Sequence, residues 1–193
     1  MAYINRAIEN TLKNRFETSK SVAITGARQV GKTTMIKHIY SDIRRINLKN
    51  VVLYNNAKED PQGFLENFER PLFIDEVQKV PELIEAAKTI LDDVSTRGNY
   101  LFSGSQKWEL MKGLSESLAG MVSILELGTL SLREINNISF NKPFIPTLEY
   151  LSERERTIKK YDNLWKIIHR GGYPELYEDN PRDWEDFYSP DWK

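Results

Sequence analysis

Nine consecutive residues near the amino terminus have the types and spacing of a loop that binds phosphate. They are Gly26, Ala27, Arg28, Gln29, Val30, Gly31, Lys32, Thr33 and Thr34, and the first eight match G-x-x-x-x-G-K-[ST] at every fixed position. The glycines allow a tight turn in which successive N–H groups point at phosphate oxygens, and the positive end of a following helix adds to that field. Lys32 would bridge the β- and γ-phosphates of a bound polyphosphate, and the Thr33 hydroxyl would take one coordination position on Mg²⁺.

Two acids follow an apolar run farther along the chain. Asp75 and Glu76 come directly after residues 71–74, which read Pro-Leu-Phe-Ile. In an open parallel sheet, ligands gather beyond the carboxyl ends of the strands. We therefore expect Asp75 to hold the Mg²⁺ through water and Glu76 to act as the catalytic base on a water molecule. A positioned general base accelerates attack by water, which favours hydrolysis over transfer to another acceptor.

Small hydroxyl side chains follow the next apolar run, residues 100–102. Ser103 and Ser105 are catalytic candidates that would orient the attacking water or sense the γ-phosphate. Ser105 is equally suited to cap the amino terminus of a following helix. The two roles of Ser105 are compatible, and both stay open.

The hydrophobic pattern predicts the elements that would position these residues. Short apolar runs predict five strands, at residues 21–25, 51–54, 72–74, 100–102 and 122–125. Helical spacing of apolar residues predicts helices over residues 3–12, 32–40, 107–118 and 147–169, and a further helix that begins at Pro81. Strands that alternate with helices predict an α/β fold in which a parallel five-stranded sheet has helices on both faces.

The alternation of strand and helix patterns stops near residue 140, and this change suggests the domain borders. We expect an N-terminal amphipathic helix in residues 1–20 and a P-loop core in residues 21–140. Residues 141–193 would form a small, mostly helical extension and the start of an incomplete C-terminal region, with a helix broken at Gly171 and Gly172.

Composition excludes several classes of protein. The 193 residues carry 27 Lys+Arg and 28 Asp+Glu, and 40% are hydrophobic, which excludes a disordered chain and a histone-like polycation. The absence of cysteine excludes disulfides and thiolate zinc sites, and two distant histidines argue against a histidine metal site. With no apolar run near the ~18 residues of a membrane span and no secretion signal, we expect a cytoplasmic protein without a membrane partner.

Six sequence blocks, in order, resemble a known family. They are ITGARQVGKTT at 24–34, FIDEVQKVPEL at 73–83, FSGSQ at 102–106, ESLAG at 116–120, LSLRE at 130–134 and GGYPE at 171–175. The chain resembles the prokaryotic AAA-like ATPases that pair an N-terminal P-loop domain with a C-terminal domain of unknown function. The resemblance implies a P-loop fold of the additional-strand, catalytic-glutamate type, with ATP and Mg²⁺ as ligands and a nucleotide-driven switching or remodelling role.

The chain departs from this family in two ways. Members usually follow Ser-Leu-Ala-Gly with an arginine, which can stabilise transition-state charge, whereas Met121 stands there in this sequence. Fast hydrolysis would then need Arg133 or Arg170 as a substitute. The family also continues well past residue 188, so we expect a truncated chain, a degraded gene or a short variant.

Three functions are compatible with these residues. The first is an ATPase that binds Mg·ATP and hydrolyses it slowly, coupled to rearrangement of a C-terminal region. The second is a nucleotide-binding switch with little or no turnover, which Met121 favours. The third is a small-molecule phosphotransferase, against which Glu76 argues. Self-association or a protein partner stays open, and the charge balance gives no support for a nucleic-acid partner.

Overall fold

A computed structural model of the chain describes residues 3–105, 120–138, 142, 145–157, 162–178 and 187. Its centre is a five-stranded, fully parallel sheet in the order β2-β3-β4-β1-β5. The strands are β1 Ser21–Thr25, β2 Arg44–Asn47, β3 Leu72–Asp75, β4 Tyr100–Gly104 and β5 Val122–Glu126. The described α-helices are α1 Glu9–Thr18, α2 Lys32–Ile39, α3 Val51–Glu59, α4 Pro61–Glu66, α5 Glu82–Asp92, α6 Leu132–Ile135, α7 Leu148–Glu155 and α8 Leu164–Arg170.

The core lies around the three central strands. Every residue of β1, β3 and β4 is buried, as expected for parallel strands that are covered on both faces. Helix α5 buries one stripe of apolar residues in the same core: Leu83, Ile84, Ala87 and Leu91. Both the α/β fold and the five parallel strands predicted from the sequence are confirmed.

The strand register decides which residues can meet. Thr25, the last residue of β1, pairs with Gly104 of β4 on one side and with Glu126 of β5 on the other. Asp75, the last residue of β3, pairs with Ser103 of β4. The carboxyl ends of β1, β3 and β4 therefore lie side by side, and the predicted site residues follow there.

The second strand was predicted in the wrong place. Residues 51–54 begin helix α3, because the Asn50 side chain accepts hydrogen bonds from the N–H groups of Val52 and Leu53 at 3.0 and 3.2 Å. Val51 and Val52 are 69% and 65% exposed, and only Leu53 and Tyr54 of this apolar run pack against the core, where both are partly buried. The strand instead occupies Arg44–Asn47 at the sheet edge, where Ile46 is the buried residue.

Helix boundaries differ from the prediction at both ends of the chain. The first helix runs over Glu9–Thr18 rather than residues 3–12, and it buries Leu12 and Phe16. The helix predicted over residues 147–169 is two helices, α7 and α8, and Asn163 caps the second by accepting from Lys166 N at 3.0 Å. Helix α8 ends at Gly171, as predicted. The helix predicted at residues 107–118 lies outside the described residues.

The chain forms two compact units. We call residues 8–128 the sheet unit and residues 1–7 together with 129–193 the second unit. Helix α1 lies in the sheet unit. The domain borders expected after residues 20 and 140 stay predictions. In the described part of the chain, no helix is long and apolar enough to cross a bilayer.

The second unit is organised around a nearly buried ion pair. Arg6 Nε lies 3.1 Å from Glu134 Oε1, and the two side chains are 4% and 9% exposed. The same carboxylate accepts hydrogen bonds from Ala7 N and Ser131 N, both at 2.7 Å. Ser131 and Glu134 also form a capping box at the start of α6. The 130–134 block of the family resemblance therefore has a structural role: it joins the start of α6 to residues 6 and 7.

Candidate active site

The phosphate loop, residues 26–34, connects β1 to α2. Gly26 has a φ of +144°, and a Cβ there would lie 2.2 Å from the backbone oxygen of Leu127, so no other residue fits without a shift. Gly31 has a φ of 93° at the amino terminus of α2. Gln29 is also left-handed, with a φ of 63°. The loop is therefore curled between the sheet edge and the start of a helix, as the sequence predicted.

Lys32 is folded back onto its own loop. Its ammonium group donates hydrogen bonds to the backbone oxygens of Gly26 at 2.8 Å and Ala27 at 2.7 Å. Burial lowers the pKa of Lys32, while the negative charges of Glu76 and Asp75 oppose that shift. The positive charge thus lies inside the curl of the loop, beside two carboxylates.

Asp75 is held by hydroxyl groups from two other elements. Thr33 Oγ1 of α2 donates to Asp75 Oδ2 at 2.9 Å. Ser103 Oγ, at the end of β4, donates to the other oxygen, Oδ1. Both Asp75 and Ser103 are buried. Three residues that are far apart in sequence thereby meet at one point of the sheet edge.

The Thr33–Asp75 pair is a chemically suitable place for Mg²⁺. A hydroxyl and a carboxylate are hard oxygen ligands, and Mg²⁺ usually takes one or two carboxylates together with phosphate oxygens and water. Among the residues that the structure describes, no cluster of three or more His, Cys, Asp or Glu side chains could hold a metal ion. A magnesium ion here would therefore take its remaining ligands from a nucleotide and water.

Glu76 follows β3 in a strained backbone conformation and is held from two sides. Its φ is 61°, in the left-handed region that a non-glycine residue rarely adopts. Gln78 Nε2 donates to Glu76 Oε2 at 2.5 Å, and Lys49 Nζ lies 3.0 Å from Oε1. Ser105 Oγ lies 3.4 Å from Oε2. Each of the two carboxylate oxygens therefore has at least one donor.

The surroundings of Glu76 lower the pKa of its carboxyl and so favour the ionised form. Burial alone would raise the pKa of the carboxyl, but hydrogen bonds from Gln78 and Lys49, together with two lysine charges, lower it. An ionised carboxylate can accept a proton, which is the state that a general base requires.

Lys49 and Gln78 are the two contacts of Glu76 that the sequence reasoning missed. Lys49 comes two residues after β2, at the same sheet edge as Asp75, and it was overlooked because β2 was predicted at residues 51–54. Gln78 lies within the 73–83 block of the family resemblance, and its spacing of two residues from Glu76 was the available signal.

Met121 lies at the amino ends of the parallel strands, whereas the phosphate loop follows their carboxyl ends. Its backbone oxygen accepts from Ser21 N at 3.1 Å, one residue before β5 begins. The five residues of β1 separate the two ends of this strand by about 17 Å, which is more than an arginine side chain spans. An arginine at position 121 could not reach phosphates on the same chain's loop. The expectation that the activity is weak because Met121 stands in the usual arginine position stays a prediction.

The two proposed substitutes for that arginine belong to the second unit. Arg170 Nε donates to the backbone oxygen of Leu176 at 2.7 Å, and its guanidinium group lies 4.3 Å from the ring centre of Tyr177. Arg133 lies in α6. Arg170 therefore has a structural role within its own unit.

Comparison with known proteins assigns the family. The model of the AAA domain family matches residues 18–136, more than half of the chain. Uncharacterised proteins of Mycobacterium bovis and Mycobacterium tuberculosis are each 29% identical over 128 residues, which is 65% of this chain and 29% of theirs. This chain thus spans about 29% of the length of these curated relatives.

A solved structure shares the fold. A Walker-type ATPase of Pyrococcus abyssi superposes with a TM-score of 0.58 at 13% identity, over 91% of this chain and 65% of that protein. Together with the phosphate loop, the parallel sheet order and the family match over residues 18–136, this likeness confirms the resemblance read from the sequence. The chain belongs to the AAA domain family of prokaryotic P-loop ATPases.

Proposed function

We propose that this chain binds Mg·ATP in the phosphate loop and hydrolyses it slowly, and that hydrolysis drives a conformational change of a C-terminal region. The observation that carries the proposal is the hydrogen bond of 2.9 Å between Thr33 Oγ1 and Asp75 Oδ2. It joins the first turn of α2 to the end of β3, as a shared magnesium site requires.

Each residue of the site has a role in this proposal. The loop N–H groups and Lys32 bind the phosphates, Thr33 and Asp75 hold Mg²⁺, and Mg²⁺ supplies positive charge that neutralises the phosphate oxygens. Ser103 orients Asp75 and, with Ser105, senses the γ-phosphate. These assignments accord with the family match, and with the approach of all these side chains to one sheet edge.

Glu76 is the general base in the hydrolytic step. The oxygen of a water molecule bonds to the γ-phosphorus, and the bond from that phosphorus to the β–γ bridging oxygen breaks. The electron pair of the broken bond stays on ADP, and a proton of the water passes to the Glu76 carboxylate. The ionised state that the surroundings of Glu76 favour supports this role.

A contact of Glu76 with a lysine supports slow rather than fast turnover. Lys49 is bound to Glu76 at 3.0 Å, so the base must lose this partner before it can accept a proton. The same contact favours the second candidate function, a nucleotide-binding switch with little or no turnover. Steady-state phosphate release by the wild-type chain with Mg·ATP separates the two, since a pure switch releases none.

Nucleotide binding is tested by replacing Lys32. In calorimetry with Mg²⁺ and a non-hydrolysable ATP analogue, Lys32→Ala should weaken binding about 10- to 100-fold, the value of a charged hydrogen bond. Lys37→Ala is the matched control, because Lys37 is an exposed lysine of the same helix. Wild-type affinity in a folded Lys32→Ala chain would contradict the proposed site.

A further inference from the structure

Gln78 is a polar residue of the site that lies beside Glu76 and outside the phosphate loop. It lies in a short 3₁₀ helix, Val77–Lys79, that follows Glu76 directly. Lys79 N donates to the backbone oxygen of Glu76 at 3.0 Å, and this tight turn brings the side chain of Gln78 back over Glu76. Gln78 Nε2 then donates to Glu76 Oε2 at 2.5 Å and lies 3.4 Å from Ser105 Oγ.

The other end of the Gln78 amide is unsatisfied. Its Oε1 is buried, and among the residues that the structure describes it has no hydrogen-bond partner. A buried polar atom without a partner costs roughly 1–3 kcal/mol of stability. An apolar side chain of the same size would avoid this cost, so the stability of the fold does not explain a glutamine at this position.

The two nearest donors to Glu76, Lys49 and Gln78, hold it differently, and Ser105 Oγ lies farther away, 3.4 Å from Oε2. The Lys49 side chain is 65% exposed, so its ammonium group is free to move into solvent or toward a phosphate. Gln78 is only partly exposed and is fixed by the turn that contains it. When Lys49 moves away, Gln78 still holds Oε2, and Oε1 is the oxygen left without a donor.

We propose that Gln78 is a positioning residue for Glu76: its amide fixes Oε2 and leaves Oε1 to take the proton from the attacking water. This inference rests on the hydrolysis proposed above and adds to it which oxygen reacts and what orients it. Gln78 acts through Glu76, and the hydrogen bonds of its side chain in the described structure go to Glu76 and Ser105 rather than to the phosphate loop. Its loss should therefore slow the chemical step and leave nucleotide binding unchanged.

The test compares Gln78→Leu with the wild type in three measurements. We expect kcat for phosphate release to fall roughly 10- to 100-fold, as for a misplaced catalytic group, while KM for ATP stays within about twofold. We expect the free energy of unfolding in urea to stay level or rise, because the unsatisfied Oε1 is removed. In the Glu76→Gln background, Gln78→Leu should lower kcat no further, because the carboxylate that it orients is already lost.

Two further variants sharpen the test. Gln62→Leu is the matched control, because Gln62 Nε2 donates to Glu66 at 2.9 Å on the exposed surface of α4, and its loss should change none of these measurements at the site. Gln78→Asn keeps the amide but shortens the side chain by one methylene, so it should recover part of kcat.

The outcomes separate this inference from the proposed function. A wild-type chain that binds ATP but releases no phosphate contradicts hydrolysis itself. A wild-type chain with turnover, in which Gln78→Leu leaves kcat unchanged, overturns the role of Gln78 alone. A kcat that Gln78→Leu lowers by the same factor in the Glu76→Gln background also overturns it, because the effect would then not pass through Glu76.

Discussion

Two glutamates, one in each unit of the chain, are both partly withdrawn from water and yet held in different ways. Glu76 is bound by side chains alone: Lys49, Gln78 and, at 3.4 Å, Ser105. Glu134 is bound by the backbone N–H groups of Ala7 and Ser131 and by the nearly buried Arg6. In both cases burial would raise the pKa of the carboxyl, but the surrounding donors and positive charge lower it.

The difference between the two lies in whether the donors can leave. Backbone N–H groups are fixed by the fold, so Glu134 has one stable arrangement that joins residues 6 and 7 to the start of α6. A lysine that is 65% exposed is easily displaced, so the contacts of Glu76 can change when a ligand arrives. A shifted carboxyl pKa alone does not distinguish a catalytic residue from a structural one. The nature of the hydrogen-bond donors does.

The largest expected effect is on catalysis. Glu76→Gln should reduce the rate of phosphate release by roughly 10²- to 10⁴-fold, since the general base is lost, and should leave folding nearly unchanged. Glu134→Gln should leave that rate near the wild-type value. Equal rates in wild type and Glu76→Gln, measured as steady-state phosphate release, would remove Glu76 from the reaction.

The next effect is on stability and concerns Glu134. Glu134→Ala should lower the free energy of unfolding by about 3–5 kcal/mol, because it takes the Glu134 carboxylate away from the nearly buried charge of Arg6. Urea unfolding measures this loss. Replacing both partners, as in Arg6→Met with Glu134→Leu, should recover much of it, because no buried charge remains. A double variant as unstable as Glu134→Ala would show that the ion pair is not the cause.

A smaller effect is expected in acid. Both glutamates have a pKa below the usual 4.5, so the fold favours their ionised forms. Their contribution to stability is complete above pH 4.5 and is lost as the pH falls through the lower folded value. Glu134→Gln should therefore show a shallower decline of unfolding free energy below pH 4.5 than the wild type. A decline as steep as that of the wild type would show that Glu134 does not contribute.

The smallest effect is expected at Lys49. Because this lysine is largely exposed, its pairing with Glu76 contributes no more than about 1 kcal/mol, and Lys49→Ala should change the phosphate-release rate only a few-fold. The acid limb of the pH–rate profile should move to higher pH, because a positive charge near Glu76 is lost. Lys142→Ala, which removes a surface lysine bound to Glu153, is the control and should leave the profile unchanged. An unmoved acid limb in Lys49→Ala would contradict the contact.

Much of the fold and of the candidate site at the carboxyl ends of the strands could be predicted from local sequence patterns. The phosphate loop and the acids after β3 are contiguous motifs, and parallel strands bring their ends together once the alternation of strands and helices is recognised. The position of β2 could not be predicted in the same way. It is a short edge strand with one buried residue, whereas the apolar run at residues 51–54 mimics a strand and begins a helix whose first two residues are exposed.

The contacts that cross between distant segments were beyond sequence reasoning. The capping box of Ser131 and Glu134 has a readable S-x-x-E spacing, but nothing in the sequence indicates that Arg6, 128 residues away, shares the carboxylate. The same applies to Lys49, whose contact with Glu76 depends on the correct placement of β2. Gln78 is adjacent to the acids, but the burial of its Oε1 depends on how the turn packs.

The close approach of Gly26 to Leu127 has a mechanical consequence. The first residue of the phosphate loop lies against the backbone oxygen of Leu127, and Leu127 N is bonded to Thr25 O at 2.8 Å. These are backbone contacts, so they have no side chain that could rotate to absorb a displacement. A displacement of Gly26 toward Leu127 would therefore have to move the backbone of Leu127, two residues before the second unit begins at Thr129.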